Sequence, residues 1–201
     1  MRSLRPLFLT PSSLFLTALL ATLIASSAGA APVVWTNIAG GNWNTAANWS
    51  PNVVPSPGDA VDITLNGTYT VILDVNATVG TLTLGGTTGT QTLSASSRTL
   101  AVTGATSVGA NGMLSFTTTT VSGGLVTNQG TILVAGTSAF TGTFAAAAGS
   151  TLRVGGLAGH TVLTVASGFT NNGLLELTNT TAGYNSQLTV TTGTLINSAT
   201  G

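Results

Sequence analysis

The chain has 201 residues, with four Lys and Arg, four Asp and Glu, one His, no Cys and a formal net charge of zero at pH 7. Positive charge this sparse cannot replace the counterions along a phosphate backbone, which excludes nucleic acid as a partner. The lack of cysteine excludes disulfides and thiolate metal sites, and a 43% share of hydrophobic residues excludes a disordered chain.

Residues 1–30 read as an export signal. MRSLRP supplies two arginines, an apolar run follows over residues 7–24, and SSAGA places Ala28 and Ala30 in the small-residue pattern of a cleavage site after Ala30. No later segment approaches the ~18 uninterrupted apolar residues of a membrane-spanning helix. The expected mature chain, residues 31–201, is exported and carries only Asp59, Asp62, Asp74, Glu176, Arg98 and Arg153 as charged side chains.

Residues 31–60 differ from everything after them. All three tryptophans, Trp35, Trp43 and Trp49, fall here, with Pro51, Pro55 and Pro57. From residue 61 onward the chain is rich in Thr, Val, Leu, Gly, Ala and Asn, a composition that favours short strands between turns. VDITL at 61–65, TYTVILDV at 68–75 and SQLTV at 186–190 read as strands. A shorter phrase, a turn residue followed by apolar residues two and four places on, recurs as GTLTL at 80, RTLAV at 98, GMLSF at 112 and GTILV at 130. It continues as GSTLRV at 149, GLLEL at 173 and GTLIN at 193.

A repeat of roughly 20 residues that carries strands is the mark of a solenoid. One rung cannot bury its apolar face, but rungs stacked at ~4.8 Å turn alternate residues into internal ladders. Leu82, Leu100, Leu114, Ile132, Leu152, Leu175 and Leu195 are expected to form one such ladder. Asn111-Gly112, Asn128-Gln129-Gly130 and Asn171-Asn172-Gly173 supply corners. The sequence therefore predicts an all-β parallel β-helix of six or seven coils over 61–201. An antiparallel sandwich is the rival, but a sandwich does not repeat one phrase seven times. The alanine run at 145–148 is either a small-residue corner or an inserted loop. A solenoid must close its open apolar end, and the segment 31–60 is expected to be that N-terminal cap. Tryptophans supply its area, and prolines deny backbone donors to an incoming strand.

The pattern W-x7-W-x5-W-x5-P-x3-D-x2-D-I, running Trp35, Trp43, Trp49, Pro55, Asp59, Asp62, Ile63, resembles the start of many large bacterial surface proteins. These are the autotransporter-like and filamentous-haemagglutinin-like β-solenoid proteins, some with autotransporter-associated strand repeats. The phrases at 128–134 and 171–177 are similar to their rungs. The resemblance implies export to the cell surface, a right-handed β-helical passenger, and adhesion to glycans or proteins or surface display. It implies no catalytic residues. Such proteins run for hundreds of residues, so a sequence ending at INSATG within a phrase reads as a fragment.

The chemistry-bearing residues point the same way. His160, the single histidine, has no cysteine or second histidine to share a metal, and Glu176 lies about a coil away, so it reads as an exposed turn residue. Asp59, Asp62 and Asp74 form the one acidic group, without the spacing of a calcium loop. Asp59 follows Pro57-Gly58 as a turn residue, and Asp62 alternates with Val61 and Ile63 toward solvent. Arg98 and Arg153 are too scattered to assemble a polysaccharide-cleaving site with them. No catalytic residue, cofactor or metal is expected. The sharpest alternative to a structural rod is a carbohydrate-binding module with Trp35, Trp43 and Trp49 stacking on sugar rings. Threonine ranks raise an ice-binding face, against which the irregular spacing argues.

Overall fold

The computed structural model describes residues 32–156 and 159–198. The expected export signal, residues 1–30, lies outside the described residues. The described chain is a parallel β-solenoid of about six turns. Every coil runs along three faces. Face one carries Ala60–Ile63, Thr81–Leu84, Thr106–Val108, Val126–Asn128 and Phe144–Ala146. Face two carries Tyr69–Leu73, Gln91–Ser96, Gly112–Thr117, Thr131–Ala135, Thr151–Gly155 and Leu174–Thr178. Face three carries Ala77–Val79, Thr99–Val102, Thr120–Gly123 and Thr137–Phe140. The long strands Thr161–Asn171 and Ser186–Asn197 each turn the corner from face three onto face one, which joins those two faces into one sheet.

The cause is the alternation of side chains across an extended backbone. Tyr69, Val71 and Leu73 point inward and are buried, while Thr70 and Ile72 between them are exposed. Stacked in register, the inward residues form ladders: Val71, Leu93, Leu114, Ile132, Leu152 and Leu175 succeed one another on face two. Residues Leu93, Leu114 and Ile132 have no exposed surface at all. A buried leucine in such a stack stabilises by roughly 1.5–3 kcal/mol relative to exposure. Phe116, Phe140, Phe144 and Phe169 then fill the middle of the later coils, with ring centroids 4.9–6.2 Å apart.

One expectation is corrected here. The seven leucine and isoleucine positions predicted to share a ladder do point inward, but they lie on three faces. Leu114, Ile132, Leu152 and Leu175 stack on face two. Leu82 stacks between Val61 and Thr106 on face one, where Leu195 also lies beside Phe169. Leu100 belongs to face three, between Ala77 and Val121. All three faces obey the same rule of alternate apolar residues, so the local phrase does not say which face it is on. The alanine run is a corner: Ala146 ends its strand, and the Ala147 carbonyl accepts hydrogen bonds from the Ser150 N–H (3.1 Å) and Oγ (2.7 Å).

Two kinds of corner hold the coils together. Where face one turns to face two, buried asparagines satisfy the backbone. The Asn128 amide donates to the Thr151 carbonyl (3.0 Å) and accepts from Gly130 N–H (3.1 Å), and Asn171 donates to Gly173 O and to Asn197 Oδ1, both at 2.7 Å. Replacing Asn128 with alanine removes both partners at a site with 0% exposure. The expected loss is about 2 kcal/mol, read from the urea midpoint. Where face three turns to face one, Gly58, Gly80, Gly104, Gly124 and Gly142 form a column, each glycine Cα lying against the backbone carbonyl of the one before.

Candidate functional site

The cap is built before the first full coil. Val33–Trp35 stacks parallel on Ala60–Ile63 and pairs antiparallel with Trp49–Ser50, Trp35 opposite Trp49. Gly41–Asn42 begins face two by pairing with Val71 and Ile72. The three indoles pack together, Trp49 meeting Trp35 and Trp43 edge-on at 4.9 Å each, while Trp35 stacks over Tyr69 at 6.4 Å. The Trp35 indole N–H donates to Asn37 O and that of Trp49 to Trp43 O, both at 2.7 Å. Asn48, also buried, braces the segment by donating to Asn42 O and accepting from Asn37 Nδ2, both at 2.9 Å.

Trp35 and Trp43 have no exposed surface and Trp49 retains 1%. This arrangement is consistent with a cap over the solenoid end. It leaves no indole face on which a sugar ring can stack.

Tyr69 extends the cap into the first coil. Its ring is buried and its hydroxyl has no hydrogen-bond partner within the protein. Burial pushes the phenol up to about 12, opposed weakly by the nearby Leu65 backbone. The unfolded phenol ionises near 10, so its contribution to stability is intact below pH 10 and is lost as the pH rises from about 10 to 12. The expected loss is on the order of 2 kcal/mol. Near-ultraviolet circular dichroism during alkaline titration should show early unfolding that Tyr69→Phe abolishes.

The aspartates do not converge. Asp59 Oδ2 accepts from the Ser56 N–H and Oγ, both at 2.8 Å, which makes it a turn residue. Asp62 sits on the outer side of face one beside Thr83. Asp74 accepts from Asn44 N–H at 2.9 Å and so pins the cap to the first coil. Among the described residues no three His, Asp or Glu side chains gather in the way a metal site requires. Arg153 is paired with Glu176 one coil on, at 2.5 Å on the outer side of face two, while Arg98 Nη1 donates to the carbonyl of Ser97.

His160 is an exposed loop residue, but it has a setting that the sequence did not disclose. The corner from face two to face three takes one to three residues in coils one to four. It lengthens to residues 156–160 and then to residues 179–185 in the last two. Gly156, Gly159 and His160 of the first are tied to the second by three hydrogen bonds. Asn179 Nδ2 donates to Gly159 O (3.3 Å), Thr180 Oγ1 to Gly156 O (3.4 Å) and the Asn185 N–H to His160 Nδ1 (3.2 Å). Ser186 Oγ donates to Thr178 O at 2.7 Å, closing the base of the second loop beside Gly155. Tyr184 meets the His160 ring edge-on at 5.3 Å and is 40% exposed. Among the described residues it is the one exposed aromatic. At the foot of these loops lies a depression of about 230 Å³ between Thr117, Leu133, Ala135, Arg153, Gly155 and Gly156.

No protein-family model, curated protein or solved structure matches this chain. No helix of the described residues is long and apolar enough to cross a membrane.

Proposed function

We propose that the chain is an exported bacterial surface or secreted β-solenoid protein with an aromatic N-terminal cap, with a structural and adhesive role rather than a catalytic one. The observation that carries this reading is the combination of an aromatic N-terminal cap with register-true coils whose interior ladders run without interruption from Val71 to Leu175. That design makes a rod rather than an active-site cleft. Its length grows by ~4.8 Å per coil, about 30 Å for six, and backbone hydrogen bonds along its axis resist extension and proteolysis. Outward positions on face one carry small neutral side chains beyond the first coil, as in the file Thr83, Ser107, Thr127 and Ala145. Such a surface suits display and repeated weak contacts. The resemblance of the tryptophan-rich head to surface passengers of the autotransporter and filamentous-haemagglutinin type supports the same reading.

The test is to express the full chain with its own N-terminus in a Gram-negative host. Mass spectrometry of the exported product should find Ala31 as its first residue, and antibody labelling of intact cells should find it outside. Antibody is the reagent of choice because the sequence contains no lysine for amine labelling. Retention in the cytoplasm with residues 1–30 intact would overturn the proposal, as would turnover of a polysaccharide by the purified chain.

A further inference from the structure

We propose that His160 and the corner loop of residues 179–185, which is tied to Gly156 and Gly159 of the coil before it, form a binding site for neutral saccharides, with the Tyr184 ring as its platform. The inference rests on the adhesive reading above and places that contact on particular residues.

The argument begins with where aromatic surface lies. The tryptophans that the sequence offered as a sugar platform are spent on the cap, and the phenylalanines of the later coils on the core. Tyr184 is raised out of the solenoid by a loop that the fold does not need. Coils two to four turn the same corner with one or two residues, so the additional chain in the last two coils serves no stacking function. Loops on a rigid scaffold are where binding residues concentrate. These two are held to each other by the Asn179, Thr180 and Asn185 contacts, so little ordering remains to be done when a ligand arrives.

The chemistry selects the ligand class. An exposed aromatic face beside neutral donors and acceptors matches a pyranose, whose C–H face stacks on a ring while its hydroxyls take hydrogen bonds at the rim. Because His160 Nδ1 accepts the Asn185 N–H, the neutral imidazole carries its proton on Nε2, which provides a donor next to Tyr184. The Asn185 side chain, exposed on the same turn, offers both a donor and an acceptor. The sequence of the second loop, Asn179 to Asn185, contains no charged residue, so an anionic ligand finds no counter-charge there. A protein partner needs more than 1,000 Å² with an apolar centre, whereas the second loop, residues 179–185, presents one ring among Thr, Asn, Ala and Gly. The depression walled by Arg153 and Gly156 gives a longer saccharide room to continue onto face two.

The test is equilibrium binding of the mature chain, residues 31–201, to an immobilised panel of neutral oligosaccharides ending in hexose, N-acetylhexosamine or fucose. Binding of one terminal sugar class is expected, reduced at least tenfold by Tyr184→Ala and at least threefold by His160→Ala, and kept by Tyr184→Trp. Since Tyr184 is outside the core, the Tyr184→Ala chain should melt with the wild type, which separates lost binding from lost fold. Binding to none of the panel overturns the proposal, as does binding that Tyr184→Ala leaves unchanged. If whole mucin or host cells still bind the Tyr184→Ala chain as well as the wild type, the adhesive reading survives and this site falls. If the wild-type chain binds neither the panel nor any of these surfaces, both fall.

Discussion

Trp35→Ala is expected to destabilise the solenoid by about 3–5 kcal/mol, the largest effect of any side-chain truncation in the chain. Trp35 has no exposed surface and touches the cap and the first coil at once, edge-on to Trp49 and stacked over Tyr69. Its removal leaves a void that neither neighbour can fill, because Trp49 is held by its bond to Trp43 O and Tyr69 by its strand. Packing energy is lost first; the aromatic pairs add roughly 0.5–1.5 kcal/mol each beyond area. The same change loosens Trp49–Ser50, the antiparallel strand that closes the edge of face one. Guanidinium unfolding should show the loss, and binding of a hydrophobic dye under native conditions should rise as the end opens. Leu175→Ala, on the last described rung of face two, should lose markedly less, since Leu175 is only partly buried. A loss below 1 kcal/mol for Trp35→Ala would mean that the aromatic cluster is not what closes the solenoid.

That contrast between ends has a physical source in the ladders themselves. An inward residue is buried by the coils above and below it, not by its own. On face two the file Leu73, Ala95, Phe116, Val134, Val154 is at most 2% exposed, and then Leu177, in the same file, is 52% exposed because no described coil lies over it. The cap replaces a missing coil with three indoles.

How much of this was legible depended on whether a feature was local. The alternation that makes Tyr69–Leu73 a strand is written in five consecutive residues, and the break in composition at residue 61 announces the cap. Assignment of strands to faces is not local. Leu82, Leu100 and Leu114 sit in near-identical phrases on three faces, and only the varying length of the corners tells them apart. Coil spacing on face two runs 22, 21, 18, 20 and 23 residues, so no fixed period could have sorted them. Tyr184 was missed for a related reason. A single tyrosine in a Thr- and Asn-rich stretch carries no pattern, and the signal was the seven-residue gap between strands where the first four coils leave one to three. His160 was legible as an exposed loop residue; its contact with the following loop, 25 residues on, was not.

The glycine column gives the second large effect, and it tests the register of the whole rod. Gly124 has ordinary backbone geometry, so its role is close approach rather than conformational freedom. A Cβ there would lie 2.0 Å from the Gly104 carbonyl oxygen, a backbone atom that cannot move aside. Gly142 stands in the same relation to Gly124, its Cβ 2.1 Å from that carbonyl. Gly124→Ala must therefore push two coils apart at this corner and lengthen the parallel hydrogen bonds beside it, including Gly124 N–H to Val102 O at 3.0 Å. Overpacking of this kind costs about 3 kcal/mol. Gly149→Ala is the control. That glycine has a φ of +78° and no atom within 4 Å of a Cβ, so its loss is confined to backbone strain of about 1 kcal/mol. Hydrogen exchange distinguishes the two mechanisms. With Gly124→Ala, protection should fall at the amides of the neighbouring coils, at Thr106 and Val126 among them, whereas Gly149→Ala should leave those amides as protected as in the wild type. Equal, small losses for both variants would show that the coils are not packed carbonyl to Cα along this corner.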